Sequence, residues 1–266
     1  MTVTAESILL ARDGAIATIT LNKPERMNAL DRGMWERIGV LVHELGADTS
    51  LRCIVLRGAA SADKPRAFAA GADIAEFGSE RADSKQAADY GDAIHHTMQV
   101  VRECPHPIVA LIEGACIGGG LEIAAMCDLR ICGESSRFGI PIKKLGLTMA
   151  YGELQGLLAV VGAAAALEIL LEGRVFGAQE ALAKGLVTRV VADDQVEAEA
   201  MKSARAIAEG APLVARWHKK FIRKLAYEAR LSADEWAEGF ACFDTADYRE
   251  GVDAFIARRT PKFSGA

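Results

Sequence analysis

This chain has no closely spaced cysteine pair, no basic surplus and no long uncharged apolar run, and each absence narrows what it can do. Its six cysteines, at 53, 104, 116, 127, 132 and 242, form no C-x-x-C pair and mostly sit in apolar runs. They are expected as small buried hydrophobes in a reducing compartment, neither a disulfide framework nor a zinc site. Acidic residues outnumber basic ones, leaving a net charge of −5 at pH 7. Non-specific affinity for nucleic acid or membrane is therefore not expected from the whole-chain field. No stretch approaches about 18 uncharged apolar residues, which argues against a spanning helix. Met1-Thr2-Val3-Thr4-Ala5-Glu6 carries neither a basic region nor an apolar core, so no signal peptide is expected and the expected location is cytoplasmic. The five histidines lack metal-ligand spacing, and no G-x-S-x-G, H-E-x-x-H or kinase set occurs. No metal site is expected, and His95 and His96, on a long helical stretch, read as solvated or capping side chains.

What is present is an ordinary globular composition: 266 residues, 51% hydrophobic and 25% charged. That length fits one large domain, or one domain with a helical extension. Ser7 to Ala11 and Ala15 to Leu21 are β-rich runs around Asp13-Gly14, a short-hairpin signal. Asp31 is placed to cap a helix carrying Met34, Ile38, Leu41 and Leu45 at helical spacing. Cys53 to Leu56 and Ile108 to Ile112 read as buried strands, Ser84 to Cys104 as a long helix, and Leu129 to Cys132 as another short strand. Strand pairs followed by a helix recur, which predicts ββα units stacked in series. From Glu153 onward the pattern is helical apart from Leu186 to Val191, so the α/β core is expected over 1–195 and an all-α region over 196–266. Leu213, Trp217, Phe221 and Leu225 line one helix face, with Lys219, Lys220, Arg223 and Lys224 around them.

The most informative stretch is Ile117-Gly118-Gly119-Gly120-Leu121-Glu122-Ile123-Ala124. Three glycines after a strand and before a helix leave unpaired N–H groups pointing outward. With the helix dipole behind them, those donors suit an anion, or an oxygen that becomes one during reaction. A dinucleotide fingerprint fails because Ile123 stands where the third glycine belongs, and a P-loop fails because Leu121-Glu122 replace its Lys-Ser/Thr pair. A glutamate there repels phosphate. An anion hole beside a carboxylate is instead the outline of an enzyme that makes enolates. The plainer alternative is that the glycines only permit tight helix–sheet packing.

A second segment, Phe68-Ala69-Ala70-Gly71-Ala72-Asp73-Ile74, is a small-residue turn after a strand whose N–H groups are also able to reach a ligand. Together the two segments resemble the enoyl-CoA hydratase/isomerase, or crotonase, family, and the likeness runs over nearly the whole chain. Asn22-Lys23-Pro24-Glu25-Arg26-Met27-Asn28-Ala29-Leu30 is similar to the family's N-terminal turn, and Asp128 to Ile131 and Phe138 to Pro141 to its next motifs. Ala178 to Ala181 with Lys184 to Val187, and Phe255 to Phe263, complete the series. The resemblance implies a crotonase-like stacked ββα spiral core with a C-terminal all-α subdomain, used for oligomerisation as a homotrimer or hexamer and for active-site closure.

It also implies that a thioester carbonyl is held by two backbone N–H groups, placed at Ala70 and Gly119, with Glu122 transferring a proton. Removing an α-proton or adding a nucleophile at the β-carbon puts negative charge on that oxygen, and one such donor is worth about 3 kcal/mol in the transition state. Coenzyme A is expected along Ala70, Gly71, Ala72, Asp73 and Ile74 and against Gly118. Arg26, Arg66, Arg259 and Lys262 are candidates for its phosphates, or else solvated surface charges. The acyl-CoA is the substrate and no cofactor is implied; the helix from Ser84 and the loop from Gly146 to Gly156 are expected to line the acyl pocket.

The catalytic pair is where the sequence departs. The family's hydratases use two glutamates with separated acid and base roles, and the second falls here on Ile142, a residue that moves no proton. The family's Pro-Gly-Ala-Gly-Gly loop is altered to Met149-Ala150-Tyr151-Gly152-Glu153. Tyr151 and Glu153 are either a packing residue and a first-turn helix charge, or one of them reaches the pocket and replaces the missing acid. Hydration of crotonyl-CoA is therefore expected to be slow, and isomerisation, decarboxylation, C–C hydrolysis and hydratase-lyase chemistry stay open. A non-catalytic acyl-CoA binder has no need of Glu122, and the acidic total disfavours RNA binding by the basic helix around Lys219.

Overall fold

Asp13-Gly14 reverses the chain between β1 (Ile8–Asp13) and β2 (Ile16–Leu21), which pair antiparallel with Ile8 opposite Leu21. In this computed structural model the described residues are 6–73, 76, 84–227, 232, 234, 238 and 240–266. Asp31 caps α1 (Arg32–Ala47) by accepting the Met34 N–H at 2.8 Å, and Met34, Ile38, Leu41 and Leu45 are all buried. Three ββα units follow. The first is β3 (Cys53–Gly58), β4 (Ala67–Ala69) and α2 (Ser84–Glu103); the second is β5 (Ile108–Ile112), β6 (Ala115–Ile117) and α3 (Gly119–Met126). The third is β7 (Leu129–Gly133), β8 (Arg137–Gly139) and α4 (Tyr151–Glu172). In each unit the first strand joins a six-stranded sheet and the second a smaller one, so the chain climbs as a spiral. β9 (Phe176–Gly177), α5 (Ala178–Ala183) and β10 (Arg189–Val191) finish the two sheets, and α6 (Val196–Glu209), α7 (Pro212–Tyr227) and α8 (Ala246–Ile256) follow.

The large sheet runs β1-β2-β3-β5-β7-β10, parallel from β2 onward, and the small one runs β4-β6-β8-β9. Parallel strands covered on both faces become continuously apolar, as in β5, where every residue is buried. Alternate side chains serve two cores. Ile54, Leu56, Ile108, Ala110 and Ile112 face the main core with α1, α2 and α3, whereas Cys53, Val55, Val109 and Leu111 face Val196, Ala200 and Ala204 of α6. The change of class near residue 195 is thus no break in packing, because α6 covers the outer face of the large sheet.

Two short features depart from the sequence reading. Phe176–Gly177 adds an antiparallel edge to β8, and two residues are too few to show a strand period. The strand expected over 186–191 begins only at Arg189, because Leu186 and Val187 turn back to the Ala181 carbonyl. The helix α4 is also more apolar than expected: by length and composition it is long enough to cross a membrane. It breaks at Gly162, which takes φ +71° and ψ 173°, and lays Gly156, Leu157, Ala166 and Ile169 into the core. All six cysteines are free thiols, five of them buried. Burial pushes the Cys53, Cys127 and Cys132 thiols up to about 12.

The basic helix face is largely consumed internally. Lys219 Nζ donates to the Asp128 carboxylate at 2.8 Å and to the His106 carbonyl at 2.7 Å, and Arg223 reaches the other Asp128 oxygen at 2.8 Å. These bonds fasten α7 beneath the end of α3.

Candidate active site

The segment after β4 is shaped by the turn at 23–30. Met27 and Asn28 both take positive φ, 52° and 56°. The buried Asn28 amide bonds the Ala59 and Ala67 carbonyls at 2.9 and 2.7 Å, which fixes the turn against β4. From that turn the Met27 carbonyl accepts the Ala70 N–H at 3.0 Å. Leu30 N–H bonds the Gly71 carbonyl and the Leu30 carbonyl accepts the Asp73 N–H, both at 2.8 Å. This parallel bridge between Leu30 and Ala72 spends the polar groups on either side of Ala72 and turns its own N–H the opposite way, toward α3.

The three glycines opening α3 do different jobs. Gly118 takes φ +48° and ψ −121°, which a side chain would strain. Gly119 is the first helical residue, so its N–H has no acceptor within the helix; a methyl group on it would lie 3.8 Å from the Ala72 nitrogen. Gly120 lets α3 approach β4, since a Cβ there would stand 2.4 Å from the Ala69 carbonyl oxygen. The glycine run thus serves packing at Gly120, while Gly119 leaves an N–H at the helix start beside Ala72.

A cavity of about 400 Å³ opens where these segments meet. Ala70, Gly71, Ala72, Gly118 and Gly119 form one wall, with Trp35 and Ile94 beside them. Glu122, 8% exposed on the first turn of α3, reaches the cavity. Ile142, Leu145, Leu147 and Thr148 close the far side, and Lys144 is the one basic lining side chain among the described residues. A second carboxylate, Glu153, also lines it. From the first turn of α4 its Oε2 accepts the Ala150 N–H at 2.7 Å, closing the helix start as a cap, while Oε1 lies 3.7 Å from Nε2 of His95. Paired N–H donors beside two carboxylates suit chemistry in which a carbonyl oxygen gains charge as protons move.

The family model described as enoyl-CoA hydratase/isomerase matches residues 11–266. The chain belongs to that family. A Mycobacterium bovis protein named "Probable enoyl-CoA hydratase" is 36% identical over 264 residues, covering 98% of this chain and 99% of the relative. The short-chain-enoyl-CoA hydratase of Clostridium acetobutylicum is 29% identical, covering 95% of each. The crystal structure of an enoyl-CoA hydratase/carnithine racemase from Magnetospirillum magneticum superposes with a TM-score of 0.94 at 47% identity, over 99% of this chain and 97% of that one. The stacked ββα spiral with C-terminal helices is thus the crotonase fold.

Within this enoyl-CoA hydratase/isomerase family member, several expected site residues need correction. Ala70 is not the free donor: its N–H is spent on Met27, and the N–H next to Gly119 is that of Ala72. Tyr151 is 91% exposed and does not line the cavity, because the first residue of α4 projects outward while the third folds back. His95 is not a simple solvated side chain, since it faces Glu153. Arg66 is paired with Glu113 in a separate surface hollow, and Arg259 holds Glu250 through two bonds of 2.6 and 2.8 Å. Lys262 is exposed beside the same glutamate, to which its N–H donates. None of these three lines the cavity. Arg26 is joined to the site through Asp73, at 2.6 Å. Ile74 lies outside the described residues. The role of Asn28 as the brace of the donor segment, and the placing of Lys144, had no signal short of the fold itself.

Proposed function

We propose that this protein is an acyl-CoA enzyme that binds the thioester carbonyl between the N–H groups of Ala72 and Gly119. Glu122 transfers a proton at the substrate, and Glu153 is the second proton-transfer group, in place of a glutamate at position 142. The observation that carries this reading is the shared cavity: both carboxylates open into the space bordered by Ala72 and Gly119. A thioester oxygen held there lies at the start of α3, where the helix dipole and two donors favour developing negative charge. Ile142 then acts as an apolar wall. The two carboxylates fit hydration or double-bond isomerisation, both of which pass through an enolate-like state. The acyl-CoA is the substrate and the chemistry calls for no further cofactor.

A homotrimer or hexamer fits the exposed apolar side chains Leu158, Leu167 and Leu171 on α4 and Phe255 and Ile256 on α8, which a partner copy would cover; sedimentation velocity reads this directly. The activity is tested by incubating the protein with CoA thioesters bearing straight, branched, aromatic and dicarboxylic acyl groups and following products by mass spectrometry. Conversion of at least one, lost in Glu122→Gln, is expected. Absence of any conversion by the wild type would refute an acyl-CoA enzyme.

A further inference from the structure

Where Glu153 meets His95, two cavities adjoin. Glu153 lines the active-site cavity, and His95 lines a second hollow of about 150 Å³ with Met98, Gln99, Arg102, Met126, Gly152 and Gln155. The His95 Nε2 atom is buried and has no hydrogen-bond partner among the described residues, and Glu153 Oε1 lies 3.7 Å away. That separation is just outside hydrogen-bond range and closes with a small ring rotation. Glu153 is itself fixed in place, because its other oxygen caps α4. Gly152 is what admits the ring: a Cβ there would stand 2.9 Å from His95 Cδ2 and 3.2 Å from Cγ. Nε2 is buried, but the side chain as a whole keeps 36% of its surface exposed, so the imidazole also meets solvent.

We propose that His95 is a positioning residue that exchanges the Glu153 proton with solvent. The inference rests on the reading of Glu153 as the second proton-transfer group. In a hydration, one carboxylate takes a proton from water as the hydroxyl adds to the β-carbon, and the other carboxyl gives its proton to the α-carbon. One group ends with a proton and the other without, so both must be reset. A proton on Glu153 Oε1 passes to the lone pair of His95 Nε2 while the ring releases its Nδ1 proton to water; resupply runs in reverse. Among the described residues, the charged side chains recorded against the ring or lining its hollow are Glu153 from α4 and Arg102 from α2, the latter held by Gln155 at 2.6 Å. From α3 only the uncharged Met126 lines the same hollow.

The test uses the full chain with crotonyl-CoA as probe, comparing His95→Ala, His95→Gln, Gly152→Ala and Glu153→Gln. His95→Ala is expected to lower kcat about tenfold with KM changed less than about threefold, a smaller loss than the roughly 100-fold or more of a group that transfers the proton to substrate directly. Imidazole added to the buffer is expected to restore His95→Ala, in proportion to its neutral form, and to leave Glu153→Gln inactive. Gly152→Ala, which keeps both side chains but displaces the ring, is expected to lose kcat as well. A His95→Ala protein with wild-type kcat, or with a loss that imidazole does not restore, would overturn the relay while leaving Glu153 in its role if Glu153→Gln is inactive. Wild-type turnover by Glu153→Gln would instead overturn the role of Glu153 on which the relay rests.

Discussion

Substituting Gly120 by alanine probes how closely α3 must lie against β4 for the site to form. The added Cβ would meet the Ala69 carbonyl oxygen at 2.4 Å, its Cβ at 2.8 Å and its carbonyl carbon at 3.1 Å. Two of these three atoms are backbone, so no side chain can swing away to relieve the clash. Ordinary carbon contacts are about 3.5–4.0 Å, so the two elements must separate by roughly 1 Å. One of them carries Gly119 and Glu122 and the other leads into Ala72, so the gap opens between the two donors. Overpacking of this kind costs about 2 kcal/mol, a Tm lower by roughly 4–8 °C for a chain of this size. A misplacement of about 1 Å at reacting groups costs on the order of 100-fold in rate. The comparison variant is Gly177→Ala, whose Cβ would meet nothing nearer than an Arg137 nitrogen at 3.8 Å. Thermal unfolding and kcat/KM on the best CoA thioester are measured for both. If Gly120→Ala keeps full kcat/KM at a temperature where it is folded, the two N–H groups do not form the site described.

Three other outcomes follow from named contacts. Tyr151→Phe is expected to leave kcat/KM within about twofold of wild type, because the phenol faces solvent; a large loss in the same thioester assay would return Tyr151 to the site. Burial, with Arg216 nearby, holds the His106 imidazole down at about 4. As pH falls below about 6.5 the unfolded chain takes up a proton that the folded one refuses, and stability drops by about 3 kcal/mol by the time pH reaches the folded value. Denaturant titrations of wild type and His106→Leu between pH 7 and 4.5 read this, and equal acid sensitivity of the two would refute it. Asp128→Ala leaves the buried Lys219 and half-buried Arg223 cations without their carboxylate, for a loss of about 3 kcal/mol in the same titration; an unchanged midpoint would show that α7 is held by packing alone.

What the sequence reveals about the site depends on the range of each interaction. The glycine run and Glu122 were readable because a strand end, a helix start and a first-turn acid lie within one short segment. No local pattern shows that the Ala70 N–H is spent, because its acceptor is the Met27 carbonyl, brought alongside by the left-handed turn at Met27-Asn28. Tyr151 and Glu153 look alike as insertions in one loop; only where α4 starts turns the first outward and folds the third back over the cavity. His95 sits on a helix remote in sequence, and its pairing with Glu153 exists only once α2 and α4 are packed. The ββα rhythm is visible because β5 is buried and apolar throughout and β3 is so from Cys53 to Leu56, whereas β9 is too short for any pattern.

The central claim is that Glu122 and Glu153 share one thioester site as separate proton-transfer groups. It is tested most directly by kcat/KM for Glu122→Gln, Glu153→Gln and the double variant on the CoA thioester converted fastest by the wild type. Each single change is expected to cost at least about 100-fold, with the double variant no worse than the product of the two. Wild-type turnover by Glu122→Gln would contradict the claim.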